Sequence, residues 1–254
     1  MKTKLLTTSF VAAAALFSTG LLVLDVNASA SAGRAFSQQI DAEAVKPTPL
    51  ISTSHDGKKV LQDVITRVAQ LGAYKFEGLL GTVKDRSMKI DAGSFYYMPK
   101  CLRVEVKSGG FKAGAIVVKR KDGVIRAKGG PALFGMKVNL QPDSNMLKLP
   151  NGLNIVECDY LSLLKWLQSE IASGQKVYAS EAPMNVPNQA QNVLVLETRE
   201  AGGADGIVAH RVIIDPKLLV PIEWDIFRQG KFVSTVRFND FQLCPTMDES
   251  FFQL

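Results

Sequence analysis

Only two histidines occur in the 254 residues, His55 and His210, and that scarcity removes most hydrolytic chemistry built on an imidazole base. His210 stands beside Arg211 in an alternating stretch and reads as a half-exposed strand residue rather than a base. Cysteine is as scarce. Cys101, Cys158 and Cys244 share no C-x-x-C spacing, and three thiols admit at most one intramolecular disulfide, with the pairing open. Neither a His-x-x-x-His pair nor a calcium-type carboxylate loop occurs, so no metal or other cofactor is expected. The glycine pairs Gly109-Gly110, Gly129-Gly130 and Gly202-Gly203 open no helix, as a phosphate loop must, and read as turns. Carboxylates such as Asp240 and Asp248 have nothing to fix their separation. This inventory points away from an enzyme.

Charge of one sign is also lacking. Thirty Lys and Arg against 24 Asp and Glu leave +6 at pH 7, a modest excess spread along the chain. Its densest cluster, Lys119-Arg120-Lys121, flanks a turn and lacks interleaved aromatics, which argues against nucleic acid as a partner. The excess is compatible with peripheral contact with an anionic membrane. Nothing in the composition sets the oligomeric state.

After Leu24 no apolar run reaches spanning length. Before it, Lys2 and Lys4 precede the apolar stretch Phe10 to Leu24, and two overlapping small-x-small sites follow, Ala28-Ser29-Ala30 and Ala30-Ser31-Ala32. Residues 1–32 therefore read as a secretory signal peptide, with an uncleaved anchor as the alternative. Either way the domain is exported, to the periplasm or cell envelope. No cysteine near the cleavage site is present to carry a lipid.

Residues 33–54, rich in Ala, Ser, Gln, Thr and Pro, read as a flexible leader, and 55–254 as one domain. Val60, Leu61, Val64, Ile65, Val68 and Leu71 form a helical stripe capped by Ser54 or Asp56 and stopped by Gly72. The period then changes to two, predicting strands at 74–83, 87–98, 102–107, 114–121, 124–127 and 134–140. Lys121-Asp122-Gly123 reads as a hairpin with a two-residue Asp-Gly turn. Pro99 cannot donate to a ladder and marks the place where one strand stops and the next begins. A second helix follows Asp159, apolar nearly all round, and ends at Gly174. Strands resume at 177–179, 192–197, 206–214, 219–228 and 231–241, the last hairpin turning at Gln229-Gly230. The fold class is α+β, mostly β. Alternation alone leaves open a sandwich, a barrel, or one curved sheet round a helix.

Several stretches, in their order and spacing, carry a family resemblance. "MPKCLRVEV" (Met98 to Val106) resembles the segment of LolA/LolB-type proteins where a strand reaches a proline and resumes with Arg-x-Glu. "VVKRKDGVIRA" is similar to that family's next hairpin, and "DYLSLLKWL" falls where it has a lid helix. "IIDPKLLVPIEWDIFRQGKFVSTVRFNDF" is similar to its closing hairpin and "DESFFQL" to its end. The resemblance runs from about Asp56 to Leu254 and implies a curved antiparallel half-open barrel, closed by the N-terminal helix and the mid-chain helix. It also implies a non-enzymatic binder of lipid or lipoprotein acyl chains in the envelope, or else a sensory or partner-binding module on the same scaffold. Where the carriers place an arginine directly before the proline, tied to opening and closing the lid, this chain has Met98, which deletes five donors.

On that fold the candidate cavity and lid residues are Met98, Leu102 and Val104 around the proline, Phe134 and Met136 on a middle strand, and Leu164 and Trp166 on the second helix. Trp224 and Ile226 on a late strand complete the set. Pro99, Arg103 and Gly123 are assigned structural roles.

Overall fold

The computed structural model describes residues 47–52, 55–85, 87–109, 112–202 and 206–254. The expected signal peptide, residues 1–32, lies outside the described residues, as does most of the expected leader.

Eleven strands form one antiparallel sheet: β1 (Tyr74–Lys84), β2 (Ser87–Met98), β3 (Cys101–Ser108), β4 (Ile116–Lys119), β5 (Ile125–Lys128), β6 (Lys137–Leu140), β7 (Lys176–Ala179), β8 (Leu194–Glu200), β9 (Ile207–Ile214), β10 (Pro221–Arg228) and β11 (Lys231–Leu243). Their spatial order is β6-β5-β4-β3-β2-β1-β11-β10-β9-β8-β7. The first strand thus pairs with the last, Tyr74 opposite Leu243, in the middle of the sheet. The ladder does not close, since β6 and β7 remain its two edges. Two helices, α1 (Lys58–Ala69) and α2 (Tyr160–Ala172), pack on its inner face, giving the expected mostly β, half-open barrel.

Local chemistry accounts for the boundaries. The N-cap of α1 is Gly57 rather than Asp56, whose carboxylate instead accepts from the Lys58 N–H; Ser54 lies outside the described residues. Asp159 caps α2 by accepting from the Ser162 N–H at 3.0 Å. Gly72 and Gly174 follow the helices with positive φ, where a Cβ would be strained. Pro99 and Lys100 form the two-residue turn between paired Met98 and Cys101; Lys100 takes φ 70°, and proline pre-sets the first corner. The Lys121-Asp122-Gly123 turn has three residues, not two. Arg120 O accepts from Gly123 N–H, and Gly123 alone takes positive φ before Val124 rejoins. All three cysteines are free thiols.

The strand expected at 134–140 begins only at Lys137. Pro131 opens a 3₁₀ turn over Pro131–Leu133, and Phe134 leaves it in the left-handed region, φ 52°, with its ring 96% exposed. This turn leaves Phe134 outside the ladder.

Two segments brace the opposite face. Residues 47–52, from the expected leader, lie across β8 and β9: Leu50 N–H donates to Glu197 Oε1 at 3.1 Å, Arg211 donates to Thr48 O, and Arg199 to Ile51 O. Glu197 is fully buried there, paired with Arg199 at 2.8 Å and Arg211 at 2.9 Å, while Ile51 packs on Val193, Val195 and Ile213. On β3 and β4 the C-terminal turn is held by Arg103, which donates to Phe251 O at 3.1 Å with its guanidinium 4.7 Å from the Phe251 ring. Phe252 is buried against Cys101 and Val118.

Candidate functional site

The inner face divides into a filled half and a hollow half. In the filled half, Leu61, Val64 and Val68 of α1 and Leu163, Leu164 and Leu167 of α2 meet the inward residues of β8 to β11. Burying each such side chain stabilises the fold by about 1.5–3 kcal/mol. His210 belongs here and is buried, not half-exposed as its sequence context implied, because its neighbours are Trp166 and Trp224, ring centroids 4.9 and 6.2 Å away. The Trp224 indole N–H donates to His210 Nδ1 at 3.4 Å. Burial, reinforced by Arg228, lowers the imidazole pKa from 6.5 to about 4, so the ring is neutral at pH 7.

An aromatic partition bounds this core. Tyr74 stacks on Tyr97 at 4.7 Å and on Tyr160 at 5.3 Å, and Phe76 stacks on Phe95 at 4.9 Å. Beyond it, over β2 to β6, no α-helix among the described residues covers the sheet. The cover is the segment 141–157, whose 3₁₀ turns Asn145–Leu147 and Ile155–Glu157 bring buried Leu147, Ile155 and Val156 against Leu102, Val104 and Ile125. Ser144 and Asn154 cap these turns, and Asn151 donates to Ser234 Oγ across the face.

Between sheet and cover lies a cavity of about 720 Å³. That falls within the range of roughly 300–1,000 Å³ in which small-molecule sites fall. Its floor follows the register. One row runs Phe95, Val104, Val117, Ala127, Val138 across five strands. The next contains Gly78 opposite Gly93, and Gly93 opposite Val106. The glycine at 78 is needed for space. A Cβ there would stand 2.6 Å from Phe95 Cε2, so the missing side chain makes room for that ring.

One row further along, Asp91 sits opposite Leu80, and the wall becomes polar. Burial raises the Asp91 pKa, against the pull of Lys112 and Lys89. Lys112 Nζ donates to Met146 O at 3.3 Å and to Lys148 O at 3.0 Å, tying the cover down. Lys84, Lys128 and Lys148, all exposed, also contribute to the wall. The cavity is therefore apolar along one end and cationic at the other.

Of the residues singled out from sequence, Val104 and Met136 line this cavity, and Leu102 lies in the buried cluster that roofs it with Leu147. Leu164, Trp166, Trp224 and Ile226 belong to the core of the filled half, with Trp166 stacked on Trp224, and none of the four lines the hollow. Met98 packs on the opposite face beside Phe252, and Phe134 points into solvent. Phe95, Val117, Ala127, Gly78, Gly93 and Lys112 went unnamed. The alternation Leu102, Val104, Val106 carried across to β4 would have found Val117. Among the described residues no group of three or more His, Cys, Asp or Glu side chains is placed to hold a metal ion, and no helix is long and apolar enough to cross a membrane.

No protein-family model matches the sequence, and no curated protein matches it significantly. Solved structures do. An uncharacterized conserved protein from Thermus thermophilus is 13% identical, over 75% of this chain and 91% of that one, with TM-score 0.46. MucB is 14% identical, over 78% of this chain and 64% of that one, with TM-score 0.46. The LolA superfamily protein NE2245 from Nitrosomonas europaea is 8% identical, over 79% of this chain and 99% of that one, with TM-score 0.42. One of these structures carries the name of the superfamily that the stretch from about Asp56 to Leu254 resembles.

Proposed function

We propose that this chain is an exported, non-enzymatic protein of the cell envelope that holds an acyl chain of a lipid or lipoprotein in the cavity over β1 to β6. The observation that carries the reading is the hollow itself: about 720 Å³ walled by Phe95, Val104, Val117, Val138, Leu147 and Ile155, under a cover tied by a few polar contacts. An apolar space of this size gains little by staying hydrated, and an aliphatic guest restores the dispersion contacts its walls lack. The titratable groups support binding rather than turnover. His210 is spent on Trp224 and the Glu197 carboxylate on two arginines.

Native mass spectrometry of the purified protein, repeated after organic extraction and combined with uptake of a fluorescent long-chain alcohol, tests this. The expected result is one lipid-sized adduct per chain, or uptake of one probe. A clean apo mass with no uptake overturns it. A second reading, a sensory or partner-binding module on the same scaffold, is favoured by Phe134, whose ring is 96% exposed on the turn preceding β6; a stable protein complex without lipid would support it.

A further inference from the structure

We infer that the cavity selects an anionic amphiphile, seating a carboxylate or phosphate head among the lysines at its polar end with the chain laid along the Phe95 to Val138 row. This inference rests on the acyl-chain reading above and adds the class of head group.

The polarity of the wall changes along one direction. From the row of Val104 and Val117, one step reaches the glycines 78 and 93, and the next reaches Asp91. The wall carries Lys84, Lys112, Lys128 and Lys148, four cations against one carboxylate. By register Lys89 shares the inner face with Asp91, since their partners on β1 are Thr82 and Leu80. Asp91 is therefore already balanced by Lys89 and Lys112, and the remaining cations face no acid in the wall. An uncharged or cationic head would leave that excess uncompensated, whereas an anion accepts charge-assisted hydrogen bonds from lysine ammonium groups. Between the two environments Gly78 and Gly93 add no side chain of their own, and the floor there is the Phe95 ring and Val106, apolar surface along which an unbranched chain can lie.

The test measures dissociation constants of the full chain for oleic acid, dodecyl phosphate and oleyl alcohol, by displacement of a neutral fluorescent long-chain alcohol at low and high salt. The expected result is that both anions bind at least tenfold more tightly than the alcohol at low salt, that the gap narrows as salt rises, and that inorganic phosphate alone displaces nothing. The triple variant Lys84→Gln, Lys128→Gln, Lys148→Gln, all at exposed positions, is expected to lose most of that preference while binding the alcohol as before. Lys165→Gln, on the exposed side of α2, serves as control and is expected to change neither. Equal affinity for acid and alcohol overturns the head-group assignment while leaving the chain-binding reading intact. Failure of every probe, the alcohol included, overturns both. Displacement by inorganic phosphate at the same concentrations as the lipids overturns the amphiphile in favour of a free-anion site.

Discussion

The two halves of the sheet use the same alternation and the same kinds of side chain, yet one is solid and the other hollow. Over β8 to β11 the inward residues meet two helices whose Leu and Val side chains fill the gap, with Trp166 and Trp224 stacked 6.0 Å apart. Over β2 to β6 they meet a segment with only short 3₁₀ turns, and the floor beneath it is glycine at two facing positions. The difference teaches that a cavity in this fold is made by what is withheld, a covering helix, rather than by a special set of lining residues.

Substitutions can break that comparison. Trp224→Ala, in the solid half, is expected to cost about 3–5 kcal/mol, read as a lower urea midpoint, while Val117→Ala, whose side chain already borders empty space, costs about 1–2 kcal/mol. Equal losses would mean that the hollow half is as tightly packed as the other. On the back of the solid half, Glu197→Ala removes the carboxylate that faces two arginines, Arg199 buried and Arg211 mostly so, and is expected to cost about 3–5 kcal/mol in the same titration. Replacing Glu197, Arg199 and Arg211 together by apolar residues should recover most of that loss.

Acid sharpens the contrast, because β9 and β10 of the solid half hold two strongly shifted groups that titrate below neutral pH. His210, with its folded pKa near 4 against 6.5, favours folding above pH 6.5 and loses that contribution as pH falls toward 4. The shift corresponds to roughly 3 kcal/mol at full effect. Asp225 works the other way: burial, with Glu223 beside it, raises its pKa from 3.8 to about 6, so its contribution is present below 3.8 and is lost as pH rises through 6. The two offset one another between pH 4 and 6. Thermal melts at pH 7.5 and 4.5 should show His210→Leu losing the acid-induced drop and Asp225→Asn deepening it. The smallest expected effect comes from filling. Ala127→Leu in the hollow half raises stability by about 0.5–2 kcal/mol and reduces uptake of a long-chain probe, whereas Val212→Leu in the solid half lowers it by about 1–3 kcal/mol.

Much of the architecture was legible from the chain. The period-two runs placed the strands, Asp159 marked the start of α2 and Gly174 the end beyond it, and Gln229-Gly230 turns the last hairpin with both residues at positive φ. Phe134 misled because an aromatic before an alternating run looks like strand, whereas Pro131 had already begun a turn. The site was less legible for a physical reason. Val104 and Trp224 both read as inward apolar residues, and nothing local says which of them a helix will cover. The burial of His210 likewise depends on Trp166 and Trp224, supplied by other elements. Segment 141–157 has no period, and its grip on the sheet through Lys112 joins residues that neither helix nor strand pattern relates.

The pairing of β1 with β11 also has a consequence in time. Synthesis delivers β1 before the other ten strands and β11 after them, so the ladder joining the two halves cannot form until every other strand has been made. Until then β1 presents one unpaired edge, open to mispairing with other chains. Such non-local closure belongs to the slow class of folding reactions, on the order of milliseconds to seconds. A chain truncated before Lys231 would lack the central ladder altogether, and β1 to β6, the half that holds the cavity, would be left with no partner on its inner flank.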